Sequence, residues 1–170
     1  MVDGLKGKRI VGVLEKTWLL ILLVVTALGL WLRWQGIWHE SIDYKNCLSL
    51  WMKGLESGRG LEVLSQYTGD YNMPYVTVLL FLTYIPVHPI IAIKGFSIIF
   101  DIICAAAGGC LASLCRKGAN GRLTFVIAYS IIFLSPVAVM NSGYWAQCDS
   151  VYVAFALLAC LCMLKEKFPA

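Results

Sequence analysis

Apolar residues in this chain come in long blocks, not singly at helical or alternating spacing. The first block, TWLLILLVVTALGLWLRW over residues 17–34, follows a basic flank that carries Lys6, Lys8, Arg9 and Lys16. A run of this length predicts a helix that crosses a bilayer, which takes about 20 mainly apolar residues. A secretory leader also pairs a basic start with an apolar core, but here no small-x-small cleavage site follows. Trp31, Arg33 and Trp34 close the run in the manner of an interfacial anchor. An uncleaved first span is the expectation.

Residues 35–73 are polar. Within them SIDYKNCLSLWMKGLESG places Tyr44, Leu48, Trp51, Met52 and Leu55 at three- and four-residue spacing, which predicts an amphipathic helix. Ser41 is placed to cap its start, Asp43 sits in the first turn and Gly58 is placed to end it. Its charges and Trp suit a helix lying in the interface. The next apolar run, 76–85, is bounded by Pro74 and Pro86 and is too short to cross, so 74–86 is expected as a juxtamembrane or re-entrant helix. Longer runs follow at 89–114, 122–140 and 150–165.

Charge placement then orders these segments. With 74–86 not crossing, the flank 1–16, the basic stretch 115–121 (entered by Arg116 and Lys117, with Arg122 just after it) and the tail 166–170 (with Lys165 just before it) share one side. Nine of the fourteen Lys and Arg fall in or beside these short segments, as the positive-inside rule expects. The expected fold is an all-α, multi-pass transmembrane helix bundle, a single membrane domain over 1–170. It has about four spans, at 17–34, 89–114, 122–140 and 150–165, with both termini cytoplasmic. The outer loops are 35–88, carrying amphipathic juxtamembrane helices, and 141–149.

Composition agrees: 59 % of residues are hydrophobic and 14 % charged, with a mean hydropathy of +0.75, against about 25 % charged in soluble domains. The formal net charge of +4 does not point to nucleic acid, because the basic residues gather at the ends of apolar runs. Four of the seven cysteines, Cys104, Cys110, Cys160 and Cys162, lie inside those runs, and there is no CxxC. They read as small apolar residues of a bundle, and no bridge is expected between Cys47 and Cys148 on the outer side. Histidine without ligand spacing makes no metal site, so neither a metal nor another cofactor is expected.

The stretch NSGYWAQCDS, 141–150, holds more chemistry than a turn needs. Asp149 ends it beside Asn141, Tyr144, Trp145 and Gln147. Asp43 opens the amphipathic helix on the same outer face. Inside the 89–114 span lie Lys94 and Asp101, seven residues apart on one helix face and about 10.5 Å apart along the axis. Charges in a span mark an internal pair or a functional site, and an interaction between these two is expected.

WHESIDYKNCLSLW, GDYNMPYVTVLLFLTYIP, IKGFSIIFD and FLSPVAVMNSGYWAQCDSVYVAF, in this order, resemble the N-terminal part of GT-C-type polytopic glycosyltransferases. The similarity is greatest to the bacterial group akin to GPI-type, dolichyl- or polyprenyl-phosphate-sugar-dependent mannosyltransferases. The resemblance implies a GT-C-like N-terminal module in a bacterial plasma membrane. It implies transfer of a sugar from a polyprenyl-phosphate donor to an acceptor outside the cytoplasm. It maps the family's two outer-loop acids to Asp43 and Asp149 as catalytic residues. Such enzymes have eight or more spans, so it also implies a front half completed by a C-terminal half or another membrane subunit.

The residue types suit that chemistry. A carboxylate in reach of an acceptor hydroxyl takes its proton, and Asp43 is the better placed. Lys94 or His39 would stabilise a departing phosphate. Asn141, Tyr144, Trp145 and Gln147 would hold a sugar through amides and aromatic faces. Two alternatives stand beside this. One is a transporter with Lys94 and Asp101 lining a polar path, the other a non-catalytic membrane subunit from a truncated gene.

Overall fold

A computed structural model of the chain describes residues 2–58, 60–116 and 121–165. Every regular element among them is helical. The long helix α1 runs over Val2–Gln35, and a π-helical turn, Tyr44–Leu48, leads into α2, Ser49–Ser57. A 3₁₀ turn at Leu61–Gln66 precedes α3, Met73–Thr83, and α4, Pro89–Cys115. Then come α5, Gly121–Phe133, the short α6, Pro136–Val139, a second π-helical turn at Met140–Trp145, and α7, Asp149–Leu164.

Two helical stretches, Thr17–Gln35 and Pro89–Cys115, are long and apolar enough to cross a membrane, and the bent pair Gly121–Phe133 with Pro136–Trp145 adds a third if taken as one crossing. The run 122–140, expected as one straight span, is broken. Pro136 has no N–H to donate and forces Ser135 into an extended conformation, ψ 127°, so the two halves meet at 51°. Helix α3 has 11 residues, about 16 Å, and α7 has 16, about 24 Å. Both are shorter than an apolar core of about 30 Å. The expected loop 141–149 is also different, because residues up to Trp145 continue the helical path and only 146–148 are irregular. Residues 117–120, which include Lys117, and the tail 166–170 lie outside the described residues.

Helix α4 is the centre of the bundle. Half of its apolar stretch is buried, against 11 % for Thr17–Gln35 of α1. Helices α5 and α7 pack on α4, while α1 packs on α5 and the second π turn. Close approach is set by small residues. A Cβ at Gly29 would run into the Phe133 ring, and one at Gly36 would lie 2.6 Å from the Tyr144 ring. Only glycine lets α1 sit this near its neighbours.

A second core forms outside this bundle. Ser41 accepts the Tyr44 N–H at 3.1 Å and so starts the amphipathic helix, and the chain turns extended at Gly58. Tyr44, Leu48, Met52 and Leu55 are buried as their spacing predicts, with Trp51 packed beside them. They close on Val76, Leu79 and Leu80 of α3 and on Ile90 and Ile93 at the start of α4.

Candidate functional site

Arg33 is the largest correction to the sequence reading. Its neighbours Trp31 and Trp34 are exposed, but Arg33 itself is fully buried. Its Nε and Nη2 donate to Asp101 Oδ2 at 2.9 and 2.8 Å, and Nη1 donates to the Gly29 carbonyl at 3.0 Å. The guanidinium also lies 4.3 Å from the Phe133 ring centre. Ser142, in the second π turn, donates to the same Asp101 oxygen. One carboxylate thus ties α1, α4 and the start of the NSGYWAQCDS stretch together.

Lys94 does not interact with Asp101. Its ammonium donates to the carbonyls of Gly36 and His39, each at 2.7 Å, and the side chain is fully buried. Two residues seven apart on one helix are separated along its axis, and each is met by a different part of α1 and its exit. Lys94 thus binds two carbonyls just beyond the C-terminus of α1, where a cation is favoured. Buried in this way, it is not open to a phosphate. The polar path that motivated the transport alternative lacks its pair.

Asp43 and Asp149 are tied to one short segment. Gln147 Nε2 donates to Asp43 Oδ2 at 2.7 Å, and Asn141 Nδ2 donates to Asp149 Oδ2 at 2.9 Å. The Gln147 N–H in turn donates to the Asn141 carbonyl at 3.0 Å. Both carboxylates are exposed. Ala146 makes this geometry in the left-handed region, φ 59° and ψ 35°, while almost fully buried. Such a conformation costs a non-glycine residue about 1–2 kcal/mol. Strain of this kind and π turns both concentrate at functional sites.

The other expected residues fall around this pair. Trp145 is exposed, and its carbonyl accepts from Ser41 Oγ at 2.9 Å, which holds the amphipathic helix against the segment. Tyr144 packs on Gly36 and meets the ring of the exposed His39 at 5.9 Å. Tyr144 therefore builds the joint between α1 and the π turn.

Tyr71 belongs to the site and was not picked out from the sequence. Its hydroxyl donates to Gln147 Oε1 at 3.3 Å, and its ring is 5.1 Å from both Trp51 and Tyr75. Burial first, then Cys148 and the carboxylates Asp149 and Asp43, push its phenol up to about 12. It remains a donor across the physiological range. The Cys148 thiol is also pushed up, mainly by burial. It and Cys47 are free.

A cavity of about 460 Å³ opens between α5, α6 and α7, with Asp101 and Cys104 of α4 as its floor. Asn141 and Asp149 line it, whereas Asp43 is not among its lining residues. Among the described residues no group of three or more His, Cys, Asp or Glu is placed to hold a metal. Compared with family models, with curated proteins and with solved structures, the chain finds no match.

Proposed function

We propose that the chain is a membrane glycosyltransferase of the mannosyltransferase-like GT-C kind, or the N-terminal part of one. It moves a sugar from a polyprenyl-phosphate donor to an acceptor hydroxyl on the extracytoplasmic face. The observation that carries this reading is the joining of Asp43 and Asp149 through Gln147 and Asn141 at one end of the bundle. Two exposed carboxylates, each fixed by an amide on one oxygen only, leave the other oxygen for a substrate. Asp43 takes the proton of the acceptor hydroxyl, and Asp149 orients hydroxyls beside Asn141. Trp145 and His39, both exposed at this end, border the sugar.

The proposal includes the four-crossing arrangement, with the bent α5–α6 pair as one crossing, α7 as another and both termini cytoplasmic in a bacterial plasma membrane. It also includes a C-terminal half or another membrane subunit that completes the donor pocket. In membranes containing the completed enzyme, Asp43→Asn should abolish transfer of labelled sugar and leave donor binding largely intact, as loss of a transition-state interaction does. Asp149→Asn should weaken both. Transfer at the unsubstituted rate by the Asp43→Asn protein would remove the catalytic role assigned here. Impermeant labelling of single cysteines at Ser57 and Gly118 tests the topology, with reaction expected from opposite sides.

A further inference from the structure

We infer that the cavity above α4 is a subsite for an uncharged, hydroxyl-bearing amphiphile, that Asp101 faces this ligand, and that phosphate groups are kept out. The inference rests on the glycosyl-transfer reading only where it makes the groove the acceptor's place and sends the donor phosphate elsewhere.

Asp101 is 4 % exposed, and all its hydrogen bonds among the described residues, from Arg33 and Ser142, converge on Oδ2. Oδ1 receives none of them and is left to the cavity that Asp101 lines. A carboxylate oxygen in such surroundings is costly without a donor. A ligand hydroxyl supplies one.

Charge selects the kind of donor. Arg33 balances Asp101 from behind, outside the cavity lining, so Asp101 attracts a neutral donor without calling for a cation. Asp149, at the other polar position, is bonded among the described residues by the neutral Asn141 alone. Among the described residues no Lys, Arg or His lines the cavity. The one unbalanced charge at the cavity is therefore the Asp149 carboxylate, which repels a phosphate at close range.

Shape supplies the rest. Ile132, Ala138 and Val153 are among the apolar walls, and about 460 Å³ lies within the range of ligand sites, about 300–1,000 Å³. An alkyl or similar chain lies along these walls, with its hydroxyl head between Asp101, Asn141 and Asp149.

The test uses the full chain in phosphatidylcholine nanodiscs and an octyl glucoside with a photoreactive group in its alkyl chain. Cross-links should map to residues 131–138 and to α7 near Val153. Unlabelled octyl glucoside should compete at least tenfold better than octyl phosphate or octylammonium. Ala138→Phe, which fills the cavity from α6 and leaves Arg33 and Asp101 unsubstituted, should cut cross-linking at least fivefold with unchanged melting. Asp149→Asn should narrow the discrimination against octyl phosphate. Equal or better competition by octyl phosphate or octylammonium, or cross-linking indifferent to Ala138→Phe, overturns the assignment. Transfer from a polyprenyl-phosphate donor is measured in the completed enzyme. Selective glucoside binding without transfer leaves the subsite standing and sinks the transferase reading. A groove that accepts phosphate sinks the subsite whether or not transfer occurs.

Discussion

The outer core and the helix bundle are held together differently. Around α2 and α3, more than a dozen buried side chains, Leu48, Leu79 and Leu80 among them, close on one another as in a water-soluble domain. In the bundle the buried apolar cluster is far smaller, centred on Ala105, Tyr129 and Phe133. There the helices are joined by glycine contacts and by the Arg33–Asp101–Ser142 bonds. The difference follows from the surroundings. Where lipid is as apolar as leucine, burying leucine brings helices no closer, and close packing and polar bonds decide the arrangement. The exposed Leu19, Leu20 and Leu23 of α1 need no partner in that setting.

Arg33→Met leaves Asp101 buried without its counter-charge and should cost about 3–5 kcal/mol. Denaturant titration in micelles would show it, and adding Asp101→Leu should recover much of the loss. A cost below about 1 kcal/mol for Arg33→Met would mean the bundle does not depend on this pair. In the outer core, Leu79→Ala should cost about 2–5 kcal/mol through the cavity it leaves. A much smaller loss would show that this region does not pack as a soluble core does.

Gly29→Ala sharpens the comparison. The substitution gains about 1 kcal/mol in helix propensity. The methyl meets the Phe133 ring, and overpacking of about 1–3 kcal/mol outweighs that gain. Melting should show a net loss near 1 kcal/mol.

Tyr71 gives a pH signature to the outer region. Its phenol is pushed up to about 12 from an ordinary value of 10.0. The folded state therefore holds this proton more tightly than the unfolded one. The resulting stability is fully present below pH 10 and is lost as pH rises toward 12. Tyr71→Phe should flatten the stability profile across that window.

Ala146→Gly should change stability least, within about 0.5 kcal/mol. Relief of the left-handed strain, about 1 kcal/mol, is offset by loss of a buried methyl worth about 0.8 kcal/mol. Ala146→Val should be clearly worse, because branching at Cβ adds to the strain.

Local pattern made some of this arrangement legible. The 41–58 helix was readable because its cap, its apolar face and its terminator all lie within one short segment. The break before Pro136 was also written in the chain, but hydropathy averaged over 122–140 hides a single residue that lacks an N–H. The partner of Arg33 was not readable, since Asp101 lies 68 residues away. The two meet where Gly29 lets α1 pack closely against Phe133. Lys94 looked like Asp101's partner because spacing along one helix is visible and the end of another helix is not. Asp43 and Asp149 stand out in the chain as acids at the edges of amphipathic and apolar stretches, whereas nothing local relates Tyr71 to Gln147.

The separation between Arg33 and Asp101 also sets an order of assembly. While the chain is being synthesised, α1 is complete long before Asp101 exists. Until then the Arg33 guanidinium lacks the counter-charge of Asp101, and a long basic side chain so placed in a membrane favours the head-group region. Only after α4 has entered beside α1 can the guanidinium be drawn inward, over the Phe133 ring, once α5 follows. The first helix is thus inserted in one posture and locked in another, and the lock closes only when the later helices have arrived in the right register.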